Sequence, residues 1–149
     1  MRYSLRPAVA GDSDWAYDLH RESLGVVVAQ VFGPWDEDAQ RRMHDAWFDP
    51  NLVRVIEVTG RPVGILEVRE HPDHHYLARI EIASTHRAAG LGGAVLADLL
   101  RRADESAVLM RLDVFAVNRA RFLYERLGFR QVGQNGSKVR MERLPRGRG

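Results

Sequence analysis

The residues with the clearest capacity for chemistry are Arg87-Ala88-Ala89-Gly90-Leu91-Gly92-Gly93, a glycine-rich turn placed between an apolar run and a helical pattern. A turn of this kind leaves backbone N–H groups unpaired at the positive end of a helix dipole, where they suit a phosphate or diphosphate. Glycine permits a positive φ there and lets an anion reach the backbone without meeting a Cβ. The spacing therefore predicts a phosphorylated ligand at residues 87–93. A P-loop would need Lys and then Ser or Thr directly after the last glycine. Ala94 and Val95 stand there, and Lys138, far along the chain, is the only lysine. A dinucleotide fingerprint would need Gly-x-Gly-x-x-Gly with an acidic residue about 20 positions on. Asp113 suits the second requirement, but Val95 replaces the third glycine, and Thr85 to Ala89 separate the strand from the first.

Two elements must hold this turn. Tyr76 to Ala83 is apolar and β-branched enough to be a buried strand. Leu91, Val95, Leu96, Leu99, Leu100 and Ala103 recur at helical spacing, with Arg101, Arg102, Asp104 and Glu105 on the other face. Upstream, Arg2 to Val9 reads as a strand, and Gly11-Asp12-Ser13-Asp14 offers N-caps for a helix carrying Trp15 and Leu19. Val26 to Phe32 reads as either strand or helix and is broken by Gly33-Pro34. Asp36 caps a helix whose Gln40, Met43 and Trp47 form a stripe, ended by Asp49-Pro50. The alternation from Leu52, the turn at Thr59 to Pro62 and the run Val63 to Arg69 predict a hairpin. After the central helix come a strand from Val108 to Val117, a short helix from Asn118 stopped by Gly128, and a hairpin of 129–132 with 138–144. The expected fold is α/β: a mixed, mostly antiparallel sheet with helices on both faces and one parallel pair at the central crossover.

The 149 residues fit a single domain over 1–144, with Pro145 to Gly149 expected to be disordered. A net charge of +2 is too small to imply a nucleic-acid partner. The absence of cysteine excludes disulfides, thiolate metal sites and a cysteine nucleophile. No apolar run reaches membrane-spanning length and no signal-peptide core opens the chain, so a cytoplasmic protein without a membrane partner is expected. His71, His74 and His75 read as a solvated turn, and no metal site is expected.

The order strand, Arg-x-x-Gly-x-Gly, helix, strand, Asn, helix, Tyr, Gly-Phe resembles the GNAT N-acetyltransferase superfamily. The likeness rests on Ile80 to Gly93 and on Asn118-Arg119-Ala120-Arg121-Phe122-Leu123-Tyr124-Glu125-Arg126-Leu127-Gly128-Phe129. Ser84 stands where proline is common in that family. The resemblance implies acetyl-coenzyme A as cosubstrate, with no metal. Its pantetheine arm would lie on Ile80, Ile82 and Ala83, and its diphosphate on Arg87, Ala88, Ala89, Gly90, Leu91, Gly92 and Gly93. Asn118 and Tyr124 would add contacts, and an oxyanion donor would come from the strand backbone near Ile82.

Acetyl transfer to an amine needs a base for the amine proton, a donor for the acyl oxygen and a proton for the departing sulfur. Tyr124 matches the family's acid, and a phenol with a reference pKa near ~10 has a proton to give at neutral pH. Glu81 alternates with Ile80 and Ile82 and so leaves their side of the strand, which makes it the first candidate base. Asp113 alternates likewise with Leu112 and Val114, and Glu67 lies on the hairpin strand; a water is the remaining option. Phe32 and Trp35, in a stretch that resembles the Trp-Asp-Glu-x-x-Gln element of one bacterial subgroup, are expected on the acceptor side with Glu67. Aromatic rings with carboxylates would suit an amine or cationic acceptor, either a small molecule or a peptide. Relatives often dimerise, so a homodimer is within the expectation. The rival readings are a catalytically idle coenzyme A-binding module and a dinucleotide-binding protein.

Overall fold

The computed structural model describes residues 2–147. Seven strands follow the order β1-β2-β3-β4-β5-β7-β6: β1 (Ser4–Pro7), β2 (Val53–Val58), β3 (Arg61–Glu70), β4 (His74–Ile82), β5 (Leu109–Phe115), β6 (Arg130–Asn135) and β7 (Lys138–Arg143). The helices are α1 (Ser13–Phe32), α2 (Glu37–Trp47), the single turn α3 (Ser84–Arg87), α4 (Leu91–Glu105) and α5 (Ala120–Arg126). The chain forms two compact units, one of residues up to Glu67 with Arg79–Gly92, the other of Val68–Ala78 with the residues from Gly93 on. β3 and β4 run through both.

In the first unit, β1 pairs antiparallel with β2, and β2 with β3. The alternation seen in the sequence buries Val53 and Val55 of β2 and Ile65 of β3 with Ala8, Ala16 and Leu19, against the half-buried rings of Trp15, Trp47 and Phe48. Burial of such side chains contributes about 1.5–3 kcal/mol apiece. The ambiguous run Val26 to Phe32 is helical: α1 continues unbroken to Phe32, burying Val28 while Val26 is exposed. Its stop is chemical, since the Gly33 amide donates to the Ala29 carbonyl, Gly33 takes φ +88°, and Pro34 follows. Asp36 caps α2 as expected, accepting from the Ala39 amide at 3.0 Å. The stripe on α2 keeps Gln40 and Trp47 on the inner side and differs at one position. His44 is buried and Met43 is 60% exposed, because His44 fits among aromatic rings and finds the Ser13 hydroxyl. Gly64 of β3 is forced by close approach: a Cβ there would stand 2.6 Å from the Glu81 carbonyl oxygen and 2.9 Å from Ile82 Cδ1.

In the second unit β4 and β5 form the parallel pair, and β7 pairs antiparallel with both β5 and β6. Met110, Leu112 and Val114 of β5 are buried at every second position, and Val95, Leu96, Leu100 and Ala103 are buried along α4. Gly128, with φ +101°, ends α5 in the left-handed conformation that the sequence predicted. Arg143 donates two hydrogen bonds to Asp104 at 2.8 and 3.1 Å, and the Arg146 amide donates a third at 2.8 Å. The expected disorder of 145–149 thus meets an anchored backbone at Arg146, while residues 148–149 lie outside the described residues. Among the described residues, no helix is long and apolar enough to cross a membrane.

Candidate active site

The end of β4 in the first unit carries the candidate base. Glu81 is buried, with 6% of its surface exposed. One carboxylate oxygen, Oε2, lies 2.8 Å from His20 Nδ1 of α1. The other, Oε1, is buried with no hydrogen-bond partner among the described residues. A buried oxygen left in this state costs about 1–3 kcal/mol, so it marks a place where a further donor is wanted. Arg79, two residues earlier on the same side of the strand, brings its guanidinium to 3.4 Å from His20 Nδ1 and stacks over Trp47, 3.5 Å from the ring centroid.

An aromatic wall from α1 and α2 adjoins this pair. His20 is 6.3 Å from Trp35 and 6.2 Å from Trp47, ring centre to ring centre. Tyr17 donates to Glu37 at 2.7 Å and accepts from Trp35 Nε1 at 3.2 Å. Burial, then the Glu37 hydrogen bond, push the Tyr17 phenol above its ordinary range. His44 stacks on Phe48 at 5.4 Å, and burial pulls its imidazole below the usual histidine range. Of the two rings expected on the acceptor side, Trp35 already has a guanidinium of the chain beside it, and neighbouring rings of the wall carry others. Besides Arg79 on Trp47, Arg41 lies 4.8 Å from the centre of Tyr17 and Arg21 lies 6.0 Å from that of Trp35. Phe32 is 68% exposed at the end of α1, and Glu67 of β3 is fully buried.

After β4 the chain enters the glycine turn. Arg87 donates from Nε to the Ile82 carbonyl at 2.8 Å and pairs with Glu22 at 3.1 Å. Glu22 also accepts from the Ser84 amide at 2.6 Å, which holds its carboxyl below the usual range. The Ala83 amide donates to the Val63 carbonyl at 2.7 Å, and the Ala89 amide to the His86 carbonyl at 3.3 Å. Ile80 is half-buried, Ala88 is exposed and Leu91 is fully buried. Gly90 adopts φ +78°, which only glycine takes freely. Gly92 and Gly93 differ, because they sit in the first turn of α4. A Cβ at Gly92 would make ordinary contact with Ile82 Cγ1 at 3.7 Å, and at Gly93 would meet nothing within 4 Å. The chain's own packing therefore requires neither glycine, although each costs a helix about 1 kcal/mol relative to alanine. Helix geometry leaves the first amides of α4 without intrahelical partners. Open Cβ positions beside unpaired amides fit an anion approaching the backbone.

In the second unit, Asp113 is fully engaged. Arg140 donates to its two oxygens at 3.0 and 3.1 Å, and Tyr76 donates at 2.6 Å. Burial raises the Asp113 carboxyl, but the bonds from Arg140 and Tyr76 outweigh it and hold the group below its ordinary value. Burial and then Asp113 push the Tyr76 phenol up to about 12. Asn118 Oδ1 accepts from the amide of Ala120, the first residue of α5, at 2.9 Å, in a turn that leads into the helix. Tyr124 is half-buried and packs edge-on against Phe129 at 5.7 Å. His71 and His74 stack on each other at 4.6 Å, and among the described residues no three metal-ligating side chains are grouped to hold a metal.

The structure thus brings together Glu81 with His20, Arg79 and Trp47, joins Trp35 to Tyr17 and Glu37, and ties Arg87 to Ile82. His20, Tyr17 and Glu22 did not emerge from sequence reasoning. The available signal was a histidine and a tyrosine three apart on the face of α1 that carries Ala16 and Leu19.

The model of the acetyltransferase (GNAT) family matches residues 16–129. No curated protein matches the chain. Among solved structures it is similar to the PaiA N-acetyltransferase of Thermoplasma acidophilum in complex with coenzyme A, at 17% identity and TM-score 0.77, covering 97% of this chain and 99% of that one. It is also similar to the ribosomal-protein-S18-alanine N-acetyltransferase of Escherichia coli, at 20% identity and TM-score 0.67, covering 99% and 97%. An acetyltransferase of Thermus thermophilus matches at 22% identity and TM-score 0.71, covering 97% of both chains. At these identities the structural likeness establishes the fold.

Proposed function

The chain belongs to the GNAT acetyltransferase family, and from that premise we propose that it transfers an acetyl group from acetyl-coenzyme A to a primary amine by direct attack in a ternary complex. The observation that carries the reading is the pair Gly92 and Gly93, glycines that the fold itself does not demand. In this reading the amides of Gly90, Gly92 and Gly93 hold the diphosphate, with Ala88, Ala89 and Leu91 shaping the turn and Arg87 positioned by Glu22 and Ile82. Ile80, Ile82 and Ala83 line the pantetheine arm. When bound, the cosubstrate supplies an acyl group activated as a thioester.

The chain's own residues supply the rest. Glu81 is the base: it has an unpartnered oxygen to receive the amine proton, whereas every oxygen of Asp113 is taken by Arg140 and Tyr76. The Ile82 backbone amide is proposed as donor to the acyl oxygen, where charge develops. Tyr124 is proposed to hold the proton for the leaving sulfur, and Asn118 to add a cosubstrate contact besides its bond to the Ala120 amide. With no cysteine in the chain, a thiol acetyl-enzyme is excluded. The acceptor is a small-molecule or peptide amine placed by the wall of Tyr17, Trp35 and Trp47. The test is a panel of amines offered with acetyl-coenzyme A, read as free thiol released and acetylated product formed. Amine-dependent release by the wild type, lost in Glu81→Gln, is expected; equal release by both would refute the base assignment.

A further inference from the structure

We propose that His20 is a positioning residue for Glu81, its Nδ1–H holding Oε2 so that Oε1 is the atom on which the acceptor amine docks. The proposal rests on the transferase reading above. Two groups compete for one nitrogen: His20 Nδ1 has as neighbours Glu81 Oε2 at 2.8 Å and the Arg79 guanidinium at 3.4 Å. An ionised carboxylate only accepts and a guanidinium only donates, so Nδ1 cannot serve both. The shorter distance lies within the range of about 2.7–2.9 Å for a charge-assisted bond, and the longer one beyond a good hydrogen bond. Nδ1 therefore carries the proton and points it at Glu81.

The ring is not free to turn. Its side chain is 12% exposed, and Trp35 and Trp47 flank it at 6.3 and 6.2 Å. The charged and titratable groups facing it are Glu81 and Arg79 from β4 and His44 from α2. With Oε2 pinned by the imidazole, the carboxylate cannot spin to present both oxygens, and Oε1 remains buried and unpartnered. A primary ammonium or amine is the donor that suits Oε1, because it both satisfies that oxygen and places the proton to be removed on the base. His20 acts only through Glu81 and takes no part in the transfer itself.

The experiment uses the full chain in three arms. First, 15N spectra of the imidazole nitrogens in the wild type should show His20 protonated on Nδ1; a proton on Nε2 alone overturns the proposal without reference to activity. Second, His20→Ala should lower kcat by about tenfold or more, a part of what a general base supplies. The KM for acetyl-coenzyme A should stay within about twofold. Third, His20→Asn, whose amide N–H stands near the position of Nδ1–H, should recover most of the rate. If His20→Ala keeps wild-type kcat while Glu81→Gln is inactive, the role of His20 is refuted and the base survives. If Glu81→Gln itself keeps full turnover, the base falls and the role of His20 with it. A His20→Asn variant as slow as His20→Ala would likewise overturn the donor role.

Discussion

Replacing Gly93 by alanine, and separately Gly92, should push folding stability and cosubstrate affinity in opposite directions. In the apo protein the new methyl at 93 meets no atom within 4 Å, and at 92 it makes a normal contact with Ile82 at 3.7 Å. Each variant should therefore gain the helix propensity that glycine forfeits, about 0.5–1 kcal/mol. For a chain of this size that corresponds to an increase in Tm of roughly 1–4 °C. The same methyl would stand between the α4 amides and a diphosphate. Loss of one or two hydrogen bonds to a charged group, about 1.5–3 kcal/mol each, predicts binding of coenzyme A weaker by roughly 10- to 100-fold or more. Thermal melts without ligand measure the first effect, and isothermal titration with coenzyme A measures the second. A lower apo Tm would mean that the fold itself needs these glycines. Unchanged affinity in both variants would mean that the turn is not the diphosphate site.

Other outcomes follow from the same geometry. Tyr124→Phe should lower kcat by more than it raises the KM for acetyl-coenzyme A, as steady-state kinetics would show; unchanged turnover removes Tyr124 as the acid. Glu22→Ala frees the Ser84 amide and Arg87 and should raise the KM for acetyl-coenzyme A about two- to fivefold, the worth of a partly exposed ion pair. Gly64→Ala should destabilise the chain by about 1–3 kcal/mol in denaturant melts, because the Cβ meets backbone at 2.6 Å. Burial holds the His44 imidazole below its ordinary value, so the unfolded chain takes up that proton first as pH falls. Its contribution is present above about pH 6.5 and is lost below it, at no more than about 1.4 kcal/mol per pH unit. His44→Phe should remove that slope from stability measured between pH 7 and 5.

Much of the fold was legible because each piece obeyed a local rule. The apolar run before the turn became β4, the stripe beginning at Leu91 became α4, Asp36 capped α2, and Gly128 closed α5. The run from Val26 to Phe32 was ambiguous because valine favours strands, and it was decided by tertiary context and by the Gly33-Pro34 stop. The site was legible in its backbone part, since a glycine turn announces itself, and poorly legible in its side chains. Alternation shows that Glu81 leaves the face of Ile80 and Ile82, yet it cannot show that His20, 61 residues earlier, meets it. Alternation equally places Asp113 off the core face while giving no sign that Arg140, 27 residues later, closes over it. Periodicity assigns a side chain to a face; the partner across that face is set by packing between segments remote in sequence.

A crystal structure with acetyl-coenzyme A bound tests the central claim most directly. The diphosphate should lie on the amides of Gly90, Gly92 and Gly93, with no displacement of the Glu81–His20 pair. A cofactor seated elsewhere, or side chains barring those amides from it, would contradict the transferase reading at its root.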